Sequence, residues 1–332
     1  MAKSTEIFST ILVTGCGGDI GMSIGKILKM EKISHRVIGC DLNNEHAGIF
    51  IFDKCEVVER ADSPKYLESM HKIIKKYDVK VIIPMSEAEI RFFSAKEMNE
   101  IYEIPLIITN KDALRVGFDK LETANFLKAA NLPFPWTHLA GLGAPKEMPC
   151  IIKSRFSSGS KELGIVTREN LEQYSKFGKD CIFQEYLKPD DEEYTCGLYR
   201  TKDKEIRTIV FKRKLQGGHT GYGEVVEIRE IENVLNRIAR EINLEGSINI
   251  QLRLTERGPV VFEINPRFSS TVLFRHLLGF EDVIWMLQEK SGEKVGSYIK
   301  QKKGAKIYKG FQEYILLKDN TIPIGGAGWK SK

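Results

Sequence analysis

The feature that most limits the fold of this sequence is a regular alternation of short apolar runs with helical stretches near its start. The runs "TILVT", "HRVIGCD" and "VKVIIPM" are rich in β-branched residues, and amphipathic stretches such as "SPKYLESMHKIIKKY" separate them. Strands that alternate with helices at this spacing favour a parallel sheet with helices on both faces. We therefore predict an α/β, Rossmann-like domain over residues 1–111.

A glycine-rich turn, "TGCGGDIG" at residues 14–21, follows the first predicted strand and precedes a helix. Glycines at this place let the backbone approach a phosphate, and Asp41 stands where an acidic residue would bind a ribose. An NAD(P)-dependent oxidoreductase or epimerase is therefore one hypothesis. However, any doubly wound domain needs small residues at this crossover, and the Tyr-x-x-x-Lys pairs expected of such enzymes occur only near the end of the chain. We favour a structural turn.

Strand-like runs predominate beyond residue 111, and two helical runs, "IENVLNRIAREINL" and "FEDVIWMLQEK", lie among them. This part of the sequence is therefore predicted to be α+β. With 332 residues and 42% apolar residues, the chain is long enough for two or three domains with substantial cores.

Charge and hydropathy exclude several classes of partner. The net charge of +5 is small, and basic and acidic residues are interspersed, which argues against a nucleic-acid partner. The apolar runs are far shorter than a membrane span, so we expect a cytoplasmic protein with no membrane partner. The six cysteines, at positions 16, 40, 55, 150, 181 and 196, lack zinc-ligand spacing, so we expect neither a disulfide framework nor a structural metal.

The strongest pattern for function is "INIQLRLTERGPVVFEINPRF", residues 248–268. Apolar and polar residues alternate on both sides of the turn "TERGP", which predicts a hairpin with one apolar and one polar face. If the hairpin is symmetric about Arg257, Gln251 lies opposite Glu263 and Asn249 lies opposite Asn265. On the second strand, Val260, Phe262 and Ile264 would form the apolar set. Carboxylate and amide oxygens gathered in this way are ligands for Mg²⁺.

This hairpin resembles the metal-binding hairpin of the ATP-grasp enzymes, most closely the large-subunit type of carbamoyl phosphate synthase. Other motifs follow in the family's order over nearly the whole chain: "FDKLETANFL", "SSGSKELG", "FQEYL", "EEYTCGLY" and "GGHTGYGEV". The resemblance implies a Rossmann-like pre-ATP-grasp domain followed by a two-part ATP-grasp domain. Its small subdomain, with a linker helix and a phosphate loop, would cover residues 112–187, and the subdomain with the metal site residues 188–332.

The resemblance also implies a role for particular residues. Gln251, Glu263 and Asn265 would hold Mg²⁺ (or Mn²⁺), while Arg267 would bind the transferred phosphoryl group and His219 would lie near the reacting phosphates. The ATP-binding residues that it implies are Lys120, Lys153, Ser158, Gly159, Ser160, Glu185, Tyr186, Leu187 and Glu193. Independently, the alternation in "IVFKRKL" turns either Lys212 or Arg213 toward the same site, and we place Lys212 among the ATP-binding residues.

The activity that the resemblance implies is an ATP- and Mg²⁺-dependent ligation. ATP would phosphorylate a small-molecule carboxylate, and an amine would attack the resulting acyl phosphate to form an amide or peptide-like bond. Carbamoyl phosphate synthase-like chemistry is an alternative, but that large subunit has two tandem ATP-grasp halves whereas this sequence has one. A non-catalytic nucleotide-binding protein is a further alternative. Candidate residues for the acceptor pocket are Glu87, Ser269, Ser270 and Arg275; a homodimer is common in the family.

Overall fold

The computed structural model describes residues 6–156, 164–174, 178, 180–300, 303–310, 312, 314–316 and 321–323. The chain divides into two units. Unit 1 contains residues 1–92, 98–107 and 308–332, and unit 2 contains residues 93–97 and 108–307.

Unit 1 is built on a parallel sheet of four strands in the order β3 (Lys54–Val57), β2 (Arg36–Asp41), β1 (Thr10–Thr14) and β4 (Val81–Ile83). Helix α1 (Asp19–Glu31) packs against β1 and β2. The central strand β1 is buried along its whole length, which explains why it reads as a continuous apolar run. The α/β character of this part is thus confirmed. Its first elements are β1 (Thr10–Thr14), α1 (Asp19–Glu31), β2 (Arg36–Asp41), β3 (Lys54–Val57), α2 (Tyr66–Tyr77), β4 (Val81–Ile83), α3 (Glu87–Ala95), β5 (Glu100–Ile101) and β6 (Ile104–Pro105).

Two glycines shape the turn that joins β1 to α1. Gly15 has a φ of 56°, in the left-handed region that favours glycine. A Cβ at Gly21 would lie 2.2 Å from the Gly15 carbonyl oxygen, so the first turn of α1 packs directly on the loop backbone. Gly15 and Gly21 are therefore required by the backbone of the turn itself, and no ligand is needed to explain them.

Unit 2 contains two antiparallel sheets, as expected for an α+β arrangement. A four-stranded sheet has the order β7-β10-β8-β9, and a six-stranded sheet has the order β15-β14-β11-β12-β13-β16. The helices from α4 onward are α4 (Lys111–Phe118), α5 (Lys120–Ala129), α6 (Leu171–Tyr174), α7 (Arg229–Glu241), α8 (Val272–Leu277) and α9 (Asp282–Ser291). The strands of the two sheets are β7 (Thr137–Leu139), β8 (Cys150–Ser154), β9 (Gly164–Val166), β10 (Cys181–Glu185), β11 (Glu193–Arg200), β12 (Ile206–Gln216), β13 (His219–Val225), β14 (Gly246–Thr255), β15 (Gly258–Asn265) and β16 (Lys306–Tyr308). Two further strands, β17 (Tyr314–Leu316) and β18 (Thr321–Pro323), pair with each other and belong to unit 1.

The main core of unit 2 lies between one face of the six-stranded sheet and the helices α4, α5 and α7. The predicted apolar set of β14 lies in it: Ile248, Ile250 and Leu252 are fully buried there. Helix α7 is strongly amphipathic and buries Ile231, Leu235, Ile238 and neighbouring apolar residues against the same sheet face. The opposite face of β14 carries the polar side chains of Asn249, Gln251 and Arg253.

The apolar set predicted for β15 is partly wrong because the hairpin contains a β-bulge. The register shifts between Gln251 and Leu252, so that Leu252 pairs with Val261 and Phe262 is the extra residue. Val261, together with Ile264, therefore faces the core, whereas Phe262 is only half-buried.

Within the described residues, no helix is both long and apolar enough to cross a membrane.

Candidate active site

The polar face of the β14–β15 hairpin has the register expected from the sequence. Gln251 pairs with Glu263 and Asn249 pairs with Asn265, so the four side chains point to the same side of the sheet. We call these four residues the polar face. Glu263 is half-buried, and within the described part of the chain its carboxylate makes no hydrogen bond or ion pair. A half-buried carboxylate beside amide oxygens is suited to a hard cation.

Two arginines extend the polar face across β12 and β14. Arg213 donates from Nη2 to Gln251 Oε1 at 2.9 Å and to Glu193 Oε1 at 2.8 Å. Arg253 donates to the other Glu193 oxygen at 2.6 Å and to the Leu187 carbonyl at 2.6 Å. Glu193 is thus held by two guanidinium groups. Sequence reasoning did not assign Arg253 to the site, although it lies two residues after Gln251 on β14 and therefore on the same face of the strand.

Lys212 lies on the opposite side of β12 from Arg213. It pairs in register with Tyr194, a residue of the main core, and its ammonium group binds the Glu192 carboxylate. The structure therefore brings Arg213, and not Lys212, to the polar face.

Two lysines predicted to contact ATP phosphates come close to the polar face. Lys153, on β8, is half-buried, and its Nζ lies 3.4 Å from the Phe262 carbonyl oxygen. Burial lowers the pKa of Lys153 to about 8; the neighbouring Lys120 acts in the same direction, and the Glu263 carboxylate opposes it. Lys120 is buried at the start of α5. Two cations and one carboxylate thus share this part of unit 2.

An ion pair that sequence reasoning missed fixes the positions of these lysines. Asp119 caps α5 by accepting from the Leu121 backbone N–H at 2.9 Å. The same carboxylate receives Arg155, just beyond β8, in a bidentate pair of 2.8 and 2.6 Å. The backbone N–H of Lys120 donates to the Arg155 carbonyl at 3.1 Å. Lys120 and the end of β8 are therefore tied together.

The predicted phosphate-loop residues Ser158, Gly159 and Ser160 lie outside the described residues. Their proposed contact with ATP stays a prediction.

The predicted hinge strand ends in a short segment that contacts both sheets. The Glu185 carboxylate accepts from the Trp136 backbone N–H at 3.2 Å and from Arg257, at the tip of the β14–β15 hairpin, at 2.6 Å. Leu187 is buried, and Tyr186 is half-buried with the Lys188 ammonium 4.6 Å from its ring centre. The hinge is therefore linked to the hairpin through Glu185 and through the Leu187 carbonyl bound to Arg253.

The two predicted catalytic residues differ in their surroundings. Arg267 is half-buried directly after the hairpin and donates to the Phe268 carbonyl at 2.9 Å. His219 is exposed at the end of the β12–β13 hairpin, where it pairs in register with Gln216. Among the described residues, no hydrogen bond joins His219 to the polar face.

The candidate acceptor residues are not brought together as a group. Glu87 belongs to unit 1, where it accepts two hydrogen bonds from Arg91, while Ser269 is buried and Ser270 is half-buried in unit 2. Arg275 is fully buried and forms a bidentate pair with Asp282 at 3.1 and 2.6 Å. The expectation that Arg275 lines a substrate pocket is wrong in this structure because its guanidinium has no exposed surface.

The N-terminal glycine turn is closed by its own chain. Asp41 accepts from the Gly17 N–H at 2.8 Å, so its carboxylate binds the turn itself. A Cβ at Gly17 would lie 2.5 Å from the His46 ring, so the imidazole covers the turn. This arrangement supports the structural interpretation of the motif over a dinucleotide site.

Two protein-family models match the sequence, one mainly in each unit. Residues 178–311 match the family described as "ATP-grasp in the biosynthetic pathway with Ter operon". The chain contains an ATP-grasp domain. Residues 11–107 match the family described as "PylC-like, N-terminal domain". The resemblance to ATP-grasp proteins is thereby confirmed.

Solved structures share the fold of this chain. The ADP complex of an N5-carboxyaminoimidazole ribonucleotide synthetase superposes with a TM-score of 0.70 at 15% identity, covering 89% of this chain and 80% of that one. The biotin carboxylase–βγ-ATP complex from Campylobacter jejuni gives 0.68 at 13% identity, with 90% and 74% coverage. At these identities the similarity establishes the fold.

A curated relative matches part of the sequence. The carbamoyl phosphate synthase large chain of Archaeoglobus fulgidus is 25% identical over 189 residues, which are 50% of this chain and 18% of that protein. The chain therefore spans less than a fifth of the length of this relative.

Proposed function

We propose that this protein is an ATP- and Mg²⁺-dependent ligase that activates a carboxylate as an acyl phosphate and joins it to an amine. The γ-phosphoryl group of ATP is transferred to a carboxylate oxygen, and ADP leaves. The amine nitrogen then attacks the acyl carbon, a C–N bond forms, and phosphate departs while the amine loses a proton. The product is an amide or a peptide-like bond.

The observation that carries this proposal is the register of the hairpin, which places Gln251 and Glu263 side by side with Arg213 bound to Gln251. A carboxylate and a γ-phosphate repel each other, so the enzyme must supply positive charge where they meet. Lys153 and Arg213 bring two cations to the same part of unit 2. The ATP-grasp family match and the nucleotide complexes among the structural neighbours support this interpretation.

The polar face fits a magnesium ion by its donor set. Glu263 supplies a carboxylate with no protein partner among the described residues, and Asn265 and Gln251 supply amide oxygens. When bound there, Mg²⁺ would neutralise phosphate charge and orient the transferred group. Arg213 fixes the Gln251 side chain and Arg253 holds Glu193, so the protein orients these groups before nucleotide binds.

The comparisons also bear on the alternatives. The ATP-grasp family match favours ATP-dependent chemistry, and the closed glycine turn argues against the NAD(P) hypothesis. A cytoplasmic location and a homodimeric state stay predictions from the sequence.

The test is Mg²⁺-dependent ADP release in mixtures of amino acids and small acids. We expect release only when a carboxylate and an amine are both present. Glu263→Gln should lower the rate by on the order of 10²-fold or more, because it removes the negative charge of the proposed metal site. The matched control is Glu256→Gln, which makes the same substitution at an exposed position in the turn of the same hairpin and should leave the rate unchanged.

Two results would contradict the proposal. One is equal activity of the Glu263→Gln and Glu256→Gln variants. The other is ADP release that proceeds at the same rate with neither acid nor amine, which would indicate a simple ATPase.

A further inference from the structure

A cluster of potential metal ligands lies in unit 1, apart from the polar face. We call it the Cys16 cluster; it comprises Cys16, Asp41, His46 and Cys55. Cys16 Sγ lies 3.8 Å from His46 Nε2 and 3.9 Å from Cys55 Sγ. Cys16, His46 and Asp41 each offer one ligand atom, and these three atoms all lie within 4.8 Å of one another.

We propose that the Cys16 cluster binds one zinc-type divalent ion, with Cys16, His46 and Asp41 as ligands and Cys55 as the fourth. The site would anchor the turn between β1 and α1 to the ends of β2 and β3. It is separate from the proposed magnesium site and does not depend on the proposed function.

The separations between the ligand atoms suit such an ion. Zinc binds sulfur at about 2.3 Å and imidazole nitrogen at about 2.0 Å, so tetrahedral ligand atoms lie roughly 3.5–3.8 Å apart. The observed contacts of Cys16 Sγ with His46 Nε2 and with Cys55 Sγ, at 3.8 and 3.9 Å, are near this range. Cys55 is not in the group whose ligand atoms all lie within 4.8 Å of one another, so its thiol would have to move closer to complete the site. Thiolate and imidazole ligands favour zinc over magnesium, which prefers oxygen.

The surrounding backbone holds these side chains in place. The Cys16 N–H donates to the Cys40 carbonyl at 3.2 Å, and a Cβ at Gly39 would lie 2.8 Å from Cys16 Sγ. Glycine at position 39 therefore makes room for the thiol, as glycine at position 17 does for the His46 ring. Asp41 is fixed by the Gly17 N–H on one oxygen and by the Leu42 N–H, at 2.7 Å, on the other.

His46 is incompletely satisfied by the protein. Its Nε2 has the long contact to Cys16, and its buried Nδ1 has no hydrogen-bond partner. Metal binding at Nε2 would replace this long contact with a strong interaction, and it would leave Nδ1 unchanged.

The experiment is a titration of the full chain, purified with a chelator and a reductant, with Co²⁺ as the probe. We expect saturation at one ion per chain, with the near-ultraviolet absorption of a thiolate–cobalt bond, and loss of that absorption when Zn²⁺ is added. Zn²⁺ should also raise the melting temperature, because it would bind the folded chain.

Variants assign the ligands. Cys16→Ala and Cys55→Ala should each weaken the thiolate absorption, the double variant should abolish it, and His46→Gln should reduce affinity at least tenfold. The control is Cys150→Ala, which removes a buried cysteine of unit 2 and should bind as the wild type does. Circular dichroism of each metal-free variant establishes folding; His46→Gln, at a half-buried position, decides the question if Cys16→Ala does not fold.

Two outcomes would overturn the proposal: cobalt binding without thiolate absorption in the wild type, or unchanged binding in folded His46→Gln.

Discussion

Lys153 is the residue whose ionisation most directly links the geometry of unit 2 to a measurable property. Its pKa of about 8 results mainly from burial, since removing an ammonium group from water disfavours its charged form. Glu263 partly offsets this effect, so the charge of Lys153 depends on a neighbour that we place in the metal site.

We predict that ATP affinity falls as the pH rises through about 8. The folded-state pKa of Lys153 is below that of an ordinary lysine, so the side chain is charged below this pH and neutral above it. Only the charged form attracts phosphate, and a hydrogen bond to a charged group contributes roughly 1.5–3 kcal/mol. The measurement is ATP affinity by calorimetry from about pH 7 to about pH 9.5.

Two variants separate this effect from other titrations. Lys153→Arg keeps its charge over the whole range, so its affinity should be independent of pH. Lys153→Ala should bind weakly at every pH. A wild-type affinity that does not change with pH, or a Lys153→Arg variant that keeps the full pH dependence, would contradict the assignment.

Single residues also show what a sequence pattern leaves undetermined. Alternation in "IVFKRKL" restricted the choice to Lys212 or Arg213, but the pattern alone does not tell which face of β12 is the core. The candidate acceptor residue Arg275 is fully buried, although arginine is usually exposed. Its burial depends on Asp282, which also accepts from Ser247 on β14, a residue distant in sequence. Such tertiary partners are not visible in one sequence.

At the level of elements, the position of Asn265 depends on how α4 packs against the end of β15. A Cβ built on Gly117 would lie 2.7 Å from Cδ of Pro266, so the helix has no room for a side chain there. Pro266 lies between the proposed metal ligand Asn265 and Arg267. The contact of α4 with Pro266 therefore fixes the backbone position between these two candidate residues.

We predict that Gly117→Ala lowers both stability and activity. Alanine favours a helix over glycine by about 1 kcal/mol, but overpacking against a proline ring costs typically 1–3 kcal/mol. The expected net effect is a destabilisation of up to roughly 2 kcal/mol, with weaker Mg²⁺-dependent ADP release. Urea unfolding measures the first effect, and the ADP assay measures the second.

Asn125→Ala, at an exposed position of α5, is the control because it changes helix propensity without a steric clash. It should unfold at a urea concentration close to that of the wild type. If Gly117→Ala is more stable than the wild type and fully active, the packing argument for Pro266 is wrong.

The hairpin illustrates how far patterns predict an element. The strict alternation on β14 and the turn residues were sufficient to predict the Gln251–Glu263 pairing. The bulge at Phe262 could not be predicted, because "PVVFEIN" fits two alternations equally well and packing against the main core decides between them. The polar face is nevertheless as predicted, since the bulge lies on the turn side of Glu263.

For the whole molecule, the order of elements predicted both fold classes, and the comparisons confirm them. The Cys16 cluster could not be found in this way. Its members at positions 16, 41, 46 and 55 have none of the short spacings of zinc motifs. They meet because parallel strands bring the ends of β1 and β2 to the same edge of the sheet.

At this scale, the two nucleotide hypotheses make opposite predictions. In unit 1 the Gly17 N–H is bound to Asp41 and the His46 ring covers the turn, so a dinucleotide would have to displace both. In unit 2 the Glu263 carboxylate makes no hydrogen bond or ion pair within the described residues, and its charge acts on the neighbouring Lys153. We therefore predict that MgATP stabilises the chain and that NAD⁺ and NADP⁺ do not.

The measurement is thermal unfolding with each nucleotide. A ligand at about 100 times its dissociation constant adds about 2.7 kcal/mol to the free energy of unfolding, so MgATP should raise the melting temperature by several degrees. The increase should disappear in a Lys153→Ala, Glu263→Gln double variant. It should persist in His46→Gln, which alters only unit 1. Stabilisation by NAD⁺ that is lost on Gly17→Val, together with no effect of MgATP, would instead favour an oxidoreductase and contradict the ligase.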